Sequence, residues 1–157
     1  DNVEFHVMDA EHTQFPDNMF DVATCIGVLH HLDTDAAFKE LARVVKPDGA
    51  VICNEPIAYN PVFQAYRRIT PHLRTEWEMH HILSKKDFDN AKKYFNKVEM
   101  RFYHLATLLA VPFRGTPLFN PLLSFFEAAD EILLKIPGLQ WMAWQVIFIC
   151  SEPKKNG

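Results

Sequence analysis

Two adjacent histidines, His30 and His31, follow directly on an apolar run at residues 20–29. Histidine is the side chain whose ordinary pKa lies nearest neutrality, so at the end of a buried strand it can act as general base on a substrate hydroxyl. The same pair also reads as a plain lead into the next helix. Asp9 ends a shorter apolar run at 3–8; it can accept from an amine donor, or it can shape a turn. Gly27, preceded by Ile26, marks a point where backbone can come close to a ligand. Glu55 ends a third apolar run; it can orient a substrate or a histidine, or stand solvated. Glu76 and His80 are four residues apart with His81 alongside, the spacing of a metal pair on a helix, but no fourth ligand accompanies them.

These residues need elements to hold them. Apolar runs at 3–8, 20–29 and 50–54 read as strands covered on both faces, as a parallel sheet requires. In open α/β sheets ligands bind beyond the carboxyl ends of the strands, which would place Asp9, Gly27–His31 and Glu55 on one rim. Between them, Ala37, Phe38, Leu41, Ala42 and Val45 form a helical stripe over 35–45, capped by Asp33 or Thr34. Ser84 and Asp87 open another helix, expected to reach Phe95. A strand at 97–105 with a loose pattern suits an edge, and 142–151 is the last strand. Asn120-Pro121 starts a helix whose apolar residues include Leu122, Phe125, Phe126, Ile132 and Ile136. That helix is either packed on its own domain or an apolar lid or contact surface. Residues 57–82 do not read as regular core. Their Tyr59, Tyr66, Trp77, Arg67, Arg68 and Arg74 suit an aromatic or acidic ligand.

Several of these motifs together resemble the class I S-adenosylmethionine-dependent methyltransferases that act on small molecules. They are Asp9-Ala10 after the first run, Phe15-Pro16-Asp17-Asn18-Met19-Phe20-Asp21 leading into the second, Leu29-His30-His31-Leu32 after it, and Lys46-Pro47-Asp48-Gly49 before the third. The resemblance covers roughly residues 2–55. It implies a Rossmann-like α/β sheet, mostly parallel, with an antiparallel last strand set between the fifth and sixth and a helical insertion before it. It implies methyl transfer to a small molecule, with S-adenosylhomocysteine as product. It also implies that Asp9 and the Ala10 N–H meet the adenine, that Phe15, Ile26 and Gly27 border the cofactor, and that His31, or else His30, faces the methyl side. Glu55 on the rim and Tyr59 and Arg67 in a lid-like segment, 57–83, would meet the substrate; a second lid-like segment, 106–140, belongs to the same single domain.

The family's glycine-rich loop is absent, for the five glycines (27, 49, 115, 138, 157) are scattered. A βαβ unit takes about 30 residues, so two β-α units are expected upstream of Asp1. A second reading follows: a non-catalytic binding or assembly module of the same fold, self-paired into a homodimer through an open sheet edge.

Composition narrows the classes. The 157 residues are 48% hydrophobic with a net charge of −4, and the eight acids before residue 39 face no Lys or Arg in that span. Such a field does not attract nucleic acid. No apolar run approaches the ~18 residues of a membrane span. Cys25, Cys53 and Cys150 are far apart and lie in apolar runs, which fits free thiols in a reducing cytoplasm.

Overall fold

The computed structural model describes residues 2–73 and 81–155. The Glu76/His80 pair lies outside them. Four strands make one sheet: β1 (Phe20–Ile26), β2 (Val45–Pro56), β3 (Phe95–Tyr103) and β4 (Gln145–Pro153), in the order β1-β2-β4-β3. β1 runs parallel to β2, while β4 runs antiparallel to both β2 and β3. The last strand is thus inserted as expected, and β3 takes the expected edge.

Helix α1 (Thr34–Val44) starts at Asp33, whose carboxylate accepts from the Asp35 and Ala36 amides. These are donors that a helix start leaves without an internal partner. Helix α3 (Lys85–Tyr94) opens with the expected capping box of Ser84 and Asp87. Both helices lie on the same face of the sheet. There Phe38, Phe88 and Phe148 are fully buried beside Val51, Cys53, Val146 and Cys150. Truncating one such phenylalanine to alanine costs about 3–5 kcal/mol.

The expected burial on both faces does not hold. Val22 and Ile26 of β1 are 52% and 71% exposed, and Ile52 and Ile149 behind them are partly exposed. A second correction concerns residues 3–8, which form no strand; Phe5 and Val7 are almost wholly exposed. A strand exists through ladder bonds to a neighbour, and among the described residues β1, the outermost strand on that side, pairs only with β2.

Lys46–Gly49 was expected to be a turn ahead of a short strand. It is a bulge inside a longer one, for the register jumps from Phe20↔Val45 to Val22↔Ala50. Gly49 is needed there: a Cβ would lie 2.8 Å from the Asp21 carbonyl oxygen.

Residues 57–73, read as irregular, contain α2 (Pro61–Ile69). Its cap is Asn60, which accepts from the Phe63 amide and donates to the Met142 carbonyl. Helix α4 is Phe119–Leu133, beginning two residues before the expected Pro121 start. Its one buried residue is Asp130, whereas Phe125 and Ile132 are 67% and 69% exposed.

The ladder also fixes where the long connections sit. Pro56 and Tyr103 both pair with Gln145. The segments after β2 and β3 and the one before β4 therefore start or end at the edge of the sheet that carries the β1 carboxyl end.

Candidate active site

At that edge β1 ends in Ile26, and the chain turns at Gly27, whose φ is +62° and whose amide donates to the Asn54 carbonyl at 2.9 Å. No heavy atom stands within 4 Å of where a Cβ would be, so the backbone angle, not crowding, calls for glycine. A short 3-10 turn, Leu29–His31, follows, pinned by the fully buried Leu29.

Glu55 organises this turn from β2. Its side chain is completely buried. One carboxylate oxygen accepts from the Val28 and Leu29 amides at 2.7 and 2.9 Å. The other lies 2.7 Å from His30 Nδ1. A buried carboxylate needs such partners, because an unpaired one costs several kcal/mol or more. His30 keeps 16% of its side chain exposed, and the His31 ring lies 4.1 Å from it, centroid to centroid, tilted by 39°. Glu55, expected as a substrate contact or a histidine orienter, is thus in contact with a histidine.

Asp9 and Ala10 are exposed, in a turn. The Asp9 carboxylate accepts from the Glu11 amide, and the Asp9 carbonyl accepts from the His12 amide. Glu11 in turn accepts from the Asp33 amide at the start of α1, which ties the Asp9 turn to the segment directly after His31. Glu40 and Arg43 on α1 hold the following loop. Glu40 accepts from the Thr13 amide and hydroxyl, while Arg43 donates to the Phe15 carbonyl and to Asp17. Glu40 is buried, although its charge suggests solvent. Its place three residues after Ala37 and four before Val44 was the signal. Phe15 meets Phe20 edge-on, with ring centroids 5.0 Å apart, and meets His6 edge-on at 5.5 Å.

Tyr59 and Arg67 each lie against an aromatic ring. The Tyr59 hydroxyl accepts from the Lys85 amide, and its ring meets Trp141 edge-on. Arg67 is buried on α2, its guanidinium 5.7 Å from the Phe63 ring centroid. Two hollows of about 610 and 630 Å³ lie along α1 and between β3 and α4; neither is lined by His30, His31 or Glu55.

Residues 1–53 match the family model described as a methyltransferase domain. A 60-residue stretch is 45% identical to the ubiquinone/menaquinone biosynthesis C-methyltransferase UbiE of Cupriavidus pinatubonensis, covering 37% of this chain and 25% of that protein. The match therefore spans about a quarter of that curated relative's length. Among solved structures, YcgJ of Bacillus subtilis superposes with a TM-score of 0.54 at 22% identity, over 100% of this chain and 73% of that one. The phosphoethanolamine N-methyltransferase 2 of Haemonchus contortus, in complex with phosphomonomethylethanolamine and S-adenosylhomocysteine, gives 0.53 at 18% identity, over 94% and 37%. Identities this low speak of the fold alone. Residues 1–53 therefore resemble a methyltransferase domain in sequence, and the chain as a whole shares the fold of these solved structures.

Proposed function

We propose that the protein transfers a methyl group from S-adenosylmethionine to a small-molecule acceptor. The observation that carries this reading is the turn 27–31, held against the carboxyl ends of β1 and β2 by the buried Glu55. This is where sheets of the kind bind their ligands. The residues present suit the donor: Asp9 offers an exposed carboxylate, Ala10 an exposed backbone, Ile26 an exposed apolar side chain, and Gly27 open space. Phe15 would back the same site from beside Phe20. The bound donor supplies a methyl group already activated by a sulfonium. The protein's own work is to align the acceptor with it and keep water out. His30 or His31 would take a proton from the acceptor.

The chain is read as one domain in which segments 57–83 and 106–140 form a lid. Leu109, Val111, Phe113 and Phe125 are exposed on the second segment, which favours an apolar or aromatic acceptor. Glu55, Tyr59 and Arg67 would shape the acceptor side. Among the described residues no helix is long and apolar enough to cross a membrane, and the free thiols suit a reducing cytoplasm. Calorimetric titration with S-adenosylhomocysteine tests the reading. Saturable binding that Asp9→Ala weakens is the expected result; no binding in the full chain would end it.

One observation favours the assembly reading. Among the described residues the outer edge of β1 is unpaired, and Val3, Phe5 and Val7 are exposed. Such an edge pairs readily with another strand. Light scattering showing a dimer that the charge substitution Val22→Lys dissolves would support it.

A further inference from the structure

We propose that Cys25 and Cys53 are an oxidisable pair, which a hydroperoxide converts into a reversible disulfide that disturbs the turn 27–31 beside it. The ladder register places the two thiols together. Cys25 on β1 is the partner of Cys53 on the parallel strand β2. Cys53 belongs to the core, and Cys25 packs against that same core. Neighbouring strands lie about 4.8 Å apart, inside the span of about 4.4–6.8 Å between Cα atoms that a disulfide bridges. The same geometry leaves out Cys150. It lies opposite Val51, while Cys53 lies opposite Phe148, so Cys53 and Cys150 are diagonal neighbours. Such residues are about 7–8 Å apart, too far for the bond. From Cys25, Cys150 is separated by the whole width of β2.

The two thiols have different parts to play. Cys25 is only half-buried, whereas Cys53 is buried. The hydrogen bond from Cys53 holds the Cys25 thiol below its ordinary range, which favours the reactive thiolate at the more accessible of the two. A relaxed disulfide keeps its Cβ atoms about 3.8 Å apart, closer than the strand spacing. Closure therefore draws β1 and β2 together, and a bond strained in this way is readily reduced. The strain falls on the turn. Glu55 follows Cys53 by two residues and shares its face of β2. The Glu55 carboxylate holds the Val28 and Leu29 amides at 2.7 and 2.9 Å. Gly27 likewise follows Cys25 by two residues, and its amide donates to the Asn54 carbonyl, next to Cys53.

The oxidation proceeds in two steps. The Cys25 thiolate sulfur attacks one oxygen of the hydroperoxide, and the oxygen–oxygen bond breaks. The departing alkoxide or hydroxide takes up the proton that Cys25 released, and Cys25 becomes a sulfenic acid. The Cys53 sulfur then attacks the Cys25 sulfur. The sulfur–oxygen bond breaks, and the hydroxyl leaves as water with the Cys53 proton. Two thiols have lost two electrons, and the hydroperoxide has been reduced to an alcohol and water, or to two waters from hydrogen peroxide.

The test treats the full chain with hydrogen peroxide, followed by peptide mass spectrometry without reduction. A cross-linked pair of peptides containing Cys25 and Cys53, lighter by two hydrogens and released again by glutathione, is the expected result. Cys53→Ala should stop at the sulfenic acid, read as a dimedone adduct on Cys25. The peptide map of the unsubstituted chain decides even if that variant does not fold. No cross-link, a bond to Cys150, or a bond between two chains overturns the inference. In the oxidised protein the Val28 and Leu29 amides should exchange hydrogen about 10-fold faster, as weakening of their hydrogen bonds to Glu55 implies. Unchanged exchange there, with the disulfide formed, overturns the link to the turn. Neither readout depends on methyl transfer, so failure of that reading would show separately, as a reduced protein that does not bind S-adenosylhomocysteine.

Discussion

Asp130 holds Thr107 by both its backbone amide and its hydroxyl, at 3.3 and 3.0 Å. The same carboxylate takes the amides of Leu105 and Ala106, at 3.1 and 2.6 Å. It thus ties α4 to the start of the 3-10 segment Thr107–Phe113.

Replacing Asp130 by Ala should release this tie. Three amides lose a charged acceptor, and local opening should become easier by about 1–3 kcal/mol. Hydrogen exchange at 105–107 should accelerate, and limited proteolysis should cut within 105–138 first. The core amides of β2 and β4 should keep their protection, because they belong to a different cooperative unit.

Gly49→Ala should destabilise the whole sheet. The added methyl meets backbone oxygen of Asp21 and Lys46, at 2.8 and 3.0 Å, and neither can swing away. Overpacking of this kind costs about 1–3 kcal/mol, readable as a lower urea midpoint. Gly27→Ala meets no such crowding and bears only its unfavourable φ, so it should cost less in the same assay.

The Glu40 carboxyl is held below its ordinary range by hydrogen bonds, first from Arg43 and then from Thr13, which outweigh its burial. A folded value below the unfolded one means that the folded state binds that proton less readily. The stabilisation is therefore present above the unfolded value, about 4.3, and is lost as pH falls through the folded one. Glu40→Gln should flatten the acid side of the stability curve in this window, and the 13–17 loop should lose hydrogen-exchange protection at every pH.

The three thiols should react in order. The Cys25 thiol is lowered by the hydrogen bond from Cys53, its neighbour across the ladder. Cys53 is raised by that same hydrogen bond and by burial, and burial pushes Cys150 up to about 12. Since the thiolate is the nucleophile, iodoacetamide at pH 8 should label Cys25 first, and the buried Cys53 and Cys150 only on unfolding, as peptide mass spectrometry would show.

Local signals made much of this fold legible. The stripe of α1 and the Ser84–Asp87 capping box are written within a few residues, and the helices follow within about one residue of expectation. The segment 3–8 failed because strand-forming residues state a preference, whereas a strand needs a neighbour. The charge of Asp130 suggests the polar face of its helix, yet it is buried. Its spacing, four residues after Phe126 and three before Leu133, already placed it on the packed side. In the candidate site, the rim positions of Gly27–His31 and Glu55 were readable from the ends of apolar runs. That Glu55 meets His30 was not, since the choice between adjacent histidines depends on the short 3-10 turn. The Asn60-Pro61 pair offered the same helix-start signal as Asn120-Pro121, yet it was the former that proved to be a cap and first turn.

The position of β4 has a bearing on how the chain acquires its shape. Among the described residues, 145–153 are the sole strand between β2 and β3, and Ala50 waits for Ser151, about a hundred positions later in synthesis. Until that stretch has left the ribosome, β2 has only β1 beside it and β3 has no partner in the sheet. Folding should thus be slow and late, as it is where pairings are remote in sequence, and a nascent chain stalled before residue 145 should present two unfinished edges to chaperones.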